Sequence, residues 1–130
     1  MDRKTFLFIF LCLDLPKGEE IEMREKYFFN DEQNFWINLP SNDMIAIKNL
    51  KEEYGISDEM LTYSLDKNER ARVEYDNLEE ALLLVTNVPH QQKTENHYET
   101  SPVAFILKND GLFTFTTEHT EYAVRLVHSL

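Results

Sequence analysis

The stretch "EYGISDEMLTYSLDKNERARVEYD", residues 53–76, changes its hydrophobic period part-way along, and that change decides the fold. Gly55 stops a preceding helix, and Ser57 stands where it caps a new one running through Leu65. Asp58 and Glu59 fall in the first turn, where carboxylates complement the positive end of a helix. Met60, Leu61 and Leu65 recur at helical spacing and are predicted to face inward. From Arg70 the period becomes two, with Ala71, Val73 and Tyr75 alternating with Arg70, Arg72 and Glu74. The expectation is a half-buried strand whose Ala71, Val73 and Tyr75 meet the core while its charges compensate one another in water. Residues 65–76 set Lys67, Arg70 and Arg72 against Asp66, Glu69, Glu74 and Asp76, so the segment reads as the outer face of a structural joint rather than as a site.

Working upstream, "FWINLP", residues 35–40, is a short strand with apolar residues on both faces, ended by Pro40. Ser41 is the expected cap of a helix to Tyr54, with Met44, Ile47, Leu50 and Tyr54 as its inward stripe. Residues 21–29 read as a charged edge strand and residues 30–34 as a loop. Downstream, residues 81–85 and 103–107 are unbroken apolar runs, predicted to be central strands covered on both sides, with a polar loop around residues 91–96 between them. Asn109-Asp110-Gly111 is a hairpin turn into residues 112–116. A last helix carries Tyr122, Ala123, Leu126, Val127 and Leu130 on one face.

The sum is one α/β domain of mixed α+β character over residues 1–130. Its mixed sheet of six to seven strands is flanked by helices, two inserted after the Trp36 strand and one at the end. Strands buried on both faces need two layers of cover, and three short helices are thin cover. The fold therefore reads as truncated at its C-terminal end.

The net charge of -11 repels phosphate backbones, which excludes nucleic acid as a partner and favours cations, although solubility alone accounts for many acidic surfaces. Cys12 is the single cysteine, so no internal disulfide forms, and its apolar setting points to a buried, inert thiol. Asp2-Arg3-Lys4 and the apolar run at residues 5–13 imitate a signal peptide. However, Asp14-Leu15-Pro16-Lys17 follows where small cleavage-site residues belong, and a buried first strand is expected instead. That run is also too short to cross a bilayer, which takes about 20 residues as a helix.

The search for chemistry is mostly negative. His90, His97, His119 and His128 share no ligand-like spacing and are expected to be exposed loop and helix residues. Gly18, Gly55 and Gly111 are accounted for as turns and a helix stop, which leaves no phosphate-cradling loop. No serine sits in a Gly-x-Ser-x-Gly elbow. The paired acids Glu19-Glu20, Glu52-Glu53 and Glu79-Glu80 are expected to be solvated surface groups, and residues 66–76 lack the central glycine of a calcium loop.

Taken in order, "FWINLP", "EYGISDEMLTYSLDKNERARVEYD", "ALLLVTNVP", "TSPVAFILKNDGLFTFTT" and the terminal helix resemble the N-terminal cytoplasmic domain of the CorA family of magnesium channels. The resemblance runs from residue 35 to the C-terminus. It implies a mixed sheet between two sets of helices, on the cytoplasmic side of a homo-pentameric channel for Mg2+ or another divalent cation. It also implies a regulatory role, no required cofactor and no catalytic activity. A stalk helix, two transmembrane helices and a Gly-Met-Asn pore motif follow in that family, and none of these is present here. Family members gated by magnesium carry a Glu-Asp pair directly after the leucine corresponding to Leu61, where this chain has Thr62 and Tyr63. Neither is a good ligand for a hard cation, so that metal site is not carried over, and the metal-binding residues stay unassigned. Asp58, Glu59, Asp66 and Glu69 are the nearby carboxylates. The alternatives are a stand-alone acidic α/β interaction module and a small carboxylate hydrolase. Two apolar segments of about 20 residues beyond Leu130 would mark the channel.

Overall fold

In the computed structural model, which describes residues 25–129, the period change near Arg70 does separate a helix from a strand. The elements run β1 (Glu25–Phe29), β2 (Asn34–Pro40), α1 (Met44–Tyr54), α2 (Asp58–Leu65), β3 (Arg72–Asp76), β4 (Ala81–Pro89), β5 (Thr100–Lys108), β6 (Gly111–Thr116) and α3 (Glu121–His128). Among the described residues they form one six-stranded sheet in the order β1-β2-β6-β5-β4-β3. β2 lies parallel to β6, and the other pairings are antiparallel. The fold class is the expected mixed α/β one. From β2 the chain crosses over through α1 and α2 to the far edge, then returns as the meander β3 to β6. The first strand expected at residues 5–13, the acids Glu19 and Glu20, and Cys12 lie outside the described residues.

Local chemistry explains the boundaries. Asp43, not Ser41, caps α1: its side chain accepts from the Ala46 amide, and Gly55 closes the helix at φ 67°. Ser57 caps α2 as expected, accepting from the Met60 amide at 3.1 Å. Asn109 and Asp110 make the two-residue β5–β6 turn, with Asn109 at φ 52°. Gly111 lies already inside β6, and a Cβ there would stand 2.5 Å from the Phe35 ring. It is a packing glycine rather than a turn glycine.

The main core fills the sheet face beneath α1 and α2. Ala46, Ile47 and Leu50 of α1 and Met60 and Leu61 of α2 pack on Ile37, Leu39, Leu83, Val85, Ile106, Phe113 and Phe115. Met44, expected in the inward stripe, is instead 63% exposed at the first position of α1, next to the Asp43 cap. On the opposite face a smaller cluster joins Tyr27, Trp36, Val103 and Val124 of α3. Among the described side chains of α3 Val124 is the buried one, while Leu126 and Val127, expected to face inward, are exposed.

The facing of β3 is the reverse of expectation. Its register puts Arg72 opposite Val85 and Glu74 opposite Leu83, on the face that α2 covers. Val73 and Tyr75 turn to the opposite face and are 70% and 56% exposed. The turn into β4 sets this register, since the Asp76 carboxylate accepts from the amides of Leu78 and Glu79. A one-residue difference in register inverts every side chain of a strand. The central strands, expected to be covered on both sides, are only partly covered on the face opposite α1 and α2, where Leu84 and Leu107 are 39% and 48% exposed.

Candidate functional site

Three features outside the core were tested as sites: the α2–β3 joint, the Glu79–Lys108 pair, and the uncovered sheet face. At the joint, Asp58, Asp66 and Glu69 already have local work. Asp58 pairs with Lys51. The Thr62 hydroxyl donates to the Asp58 carbonyl at 2.7 Å and so turns back on its own helix. Asp66 accepts from the Asn68 amide, and Glu69 accepts from the Arg70 amide. The Arg72 guanidinium lies 4.1 Å above the Tyr63 ring, with Glu69 and Glu74 beside it. Its hydrogen bond with Tyr63 raises its pKa further above the usual range, partial desolvation opposes this, and Glu69 adds to the rise.

The joint therefore holds its own tethered cation, Arg72, against the face of Tyr63. Asp58, Glu59, Asp66 and Glu69 do not converge, and among the described residues no three His, Cys, Asp or Glu side chains are placed to hold a metal.

Glu79 was expected to be a solvated surface acid, and the structure corrects this. Its carboxylate is almost fully buried, and Oε1 accepts from the Ser57 amide at 2.7 Å and from Lys108 Nζ at 3.2 Å. Lys108 also donates to the Gly55 carbonyl at 2.7 Å. Glu79 Oε2 has no protein partner. One ion pair thus ties the β3–β4 turn and the end of β5 to the Gly55-Ile56-Ser57 link between α1 and α2. Glu80, its neighbour, is exposed at φ 53°. Nothing in the sequence separated the two: which of them turns inward depends on the backbone of a turn, not on residue type.

The third feature is the sheet face opposite α1 and α2. From β2 through to β3 the strands place on it Asn, Trp, Thr, Ser, Leu, Val, Phe and Tyr, and no charged residue. Inside it Trp36 Nε1 donates to Thr114 Oγ1 at 3.0 Å, which donates to Asn38 Oδ1 at 2.7 Å, so its buried polar groups are satisfied. Beside α3 the face opens into a groove of about 520 Å³ lined by Phe29, Trp36, Val88, Phe105, Leu112 and Val127, among others. On a chain of net charge -11, an uncharged face of this extent is a candidate interaction surface. Among the described residues no helix is long and apolar enough to cross a membrane.

One parallel pair, β2–β6, inside an otherwise antiparallel sheet, with two helices inserted after the Trp36 strand, is the topology to set beside known proteins. The family described as CorA-like Mg2+ transporter protein matches residues 31–130, and the chain belongs to that family. The soluble domain of CorA from Methanocaldococcus jannaschii is 26% identical, with a TM-score of 0.61, over 87% of this chain and 41% of that one. The complete CorA magnesium transporter from the same organism is 28% identical, with a TM-score of 0.60, over 87% of this chain and 32% of that one. The ZntB cytoplasmic domain from Vibrio parahaemolyticus, 10% identical with a TM-score of 0.55 over 74% of this chain and 39% of that one, shares the fold. No curated protein matches by sequence. The chain thus spans well under half the length of the solved structures it resembles.

Proposed function

We propose that this chain is the cytoplasmic regulatory domain of a CorA-like channel for Mg2+ or another divalent cation, and that it contributes to gating within a pentameric funnel. The observation that carries the reading is the family match over residues 31–130 together with the shared topology at 26–28% identity.

Two features of the surface support the reading. The uncharged outer face serves as an internal surface of a larger domain, closed by the second set of helices that the family likeness implies. The acidic remainder attracts hydrated divalent cations loosely, which suits an ion that sheds its waters reluctantly. Thr62 and Tyr63 stand where magnesium-gated relatives are expected to carry acids, so in this reading the α2 surface is not where the ion is sensed.

A chimaera tests the proposal: residues 31–130 replace the corresponding part of the M. jannaschii transporter, and Mg2+ entry into proteoliposomes is followed with a fluorescent indicator. Assembly as a pentamer with retained Mg2+ flux is the expected result. A folded chimaera that neither oligomerises nor conducts would support a stand-alone interaction module instead.

A further inference from the structure

The charge-dense strand β3 ends the sheet: β4 flanks it on one side, and among the described residues no strand pairs with the other. The chain reads "RARVEYD" over residues 70–76. Arg70, Arg72, Glu74 and Asp76 alternate with Ala71, Val73 and Tyr75, so one side of the segment carries two cations followed by two carboxylates. About Val73 the charges are antisymmetric. Charges on an edge strand usually discourage pairing. Toward an antiparallel copy of itself, this arrangement does the reverse.

We propose that the outer edge of β3 pairs antiparallel with the β3 of a second copy of this chain, with Val73 on the two-fold axis. In that register Arg72 stands opposite the partner's Glu74 and Arg70 opposite the partner's Asp76, each twice by symmetry. On the other face Val73 meets the partner's Val73, and Tyr75 covers the partner's Ala71. A slip of two residues either way sets Glu74 against the partner's Glu74 or Arg72 against the partner's Arg72, and leaves Arg70 or Asp76 without its counterpart. A slip of one residue turns the apolar side of one copy onto the charged side of the other.

The geometry leaves these groups available. Val73 and Tyr75 are 70% and 56% exposed. α2 packs over β4 and β5, which puts Arg72 and Glu74 at its rim with side chains 35% and 46% accessible. Arg70 is exposed, and its side chain forms no ion pair among the described residues. Asp76 accepts the Leu78 and Glu79 amides on Oδ1, which leaves Oδ2 for a cation. Arg72 keeps its place over Tyr63 and beside its own Glu74, so four alternating charges, two from each chain, close across the axis. The pairing also gives partners to the outward amides and carbonyls of β3 and makes the uncharged face continuous between the two sheets. It is isologous and closes at two copies, so it is separate from the ring contacts of the proposed funnel.

Disulfide trapping of the 130-residue chain tests both the edge and the register. Val73→Cys, in a Cys12→Ser background, places two thiols across the axis, where opposed Cα atoms stand about 4.5–5.5 Å apart, within disulfide reach. Tyr75→Cys is the control, because it lies four residues from its own copy, about 13 Å along the strand. In a glutathione redox buffer Val73→Cys is expected to form the covalent dimer many-fold faster than Tyr75→Cys. Arg72→Glu or Glu74→Lys, added to the Val73→Cys chain, should each slow trapping, and mixing the two should restore it, because each then supplies the charge that the other lacks. Equal rates at positions 73 and 75 overturn the inference, as does a mixture no faster than its parts. Capture of an unrelated cysteine-bearing strand peptide as readily as of a second copy overturns it too, and marks the edge as open to any strand. The comparison of Val73→Cys with Tyr75→Cys decides the matter even if the charge variants do not fold.

Discussion

Lys108 shows how much one side chain can hold when it is buried with its partner. Its ammonium serves both the Glu79 carboxylate and the Gly55 carbonyl, and removing it strands a buried charge. Lys108→Ala should therefore cost about 3–5 kcal/mol in urea unfolding, and replacing Glu79 and Lys108 together by leucine and methionine should recover most of it. A single substitution costing less than about 1 kcal/mol, the range of exposed pairs, would show the pair to be solvated. At Gly111 the constraint is space. A methyl group there meets Phe35, which Tyr54 and Phe113 already hemmed in at ring distances of 5.2 and 5.7 Å, so Gly111→Ala should cost about 1–3 kcal/mol in the same assay. Sequence reasoning placed neither residue correctly. A glycine after Asn-Asp and a glutamate beside another glutamate carry no local mark of what packs against them.

At the scale of elements, α2 is the best-specified segment. Its cap, its acidic first turn and the inward Met60 and Leu61 are all local features, and all stand as read. Ser57→Ala removes the acceptor for the Met60 amide and should cost about 1 kcal/mol, seen as a lower midpoint in urea with an unchanged slope. No change would mean that Glu79, which binds the Ser57 amide, holds the helix start by itself. β3 is the opposite case. Its alternation was legible, but its facing was not, because both faces of this edge strand are partly wet. The apolar stem and planar head of Arg72 lie over Tyr63 as readily as an aliphatic side chain would. The same ambiguity misassigned α3, where a short amphipathic helix sits on the sheet through Val124 rather than through the wider stripe of Leu126 and Val127.

For the molecule as a whole, the uncharged sheet face governs solution behaviour. Val73, Tyr75, Leu84 and Leu107 stay exposed on it, so the chain should self-associate reversibly as concentration rises, more strongly in high salt, where the repulsion of -11 charges is screened. Sedimentation velocity should show the average mass rising, and Leu107→Lys should suppress the rise without lowering the melting temperature. A constant monomer mass for the unmodified chain would reject the idea. With no converging acids among the described residues, millimolar Mg2+ should move the melting temperature no more than sodium chloride of equal ionic strength. A saturable excess would reveal a site. By itself the sequence determined the Ser57 cap, the alternation of β3, the hairpin turn, the mixed α/β class and the family, because each rests on local chemistry or on the order of segments along the chain. Only the tertiary structure decided which face of β3 is dry and which glutamate is buried. Those outcomes depend on register and on approach between residues distant in sequence, which no local pattern encodes.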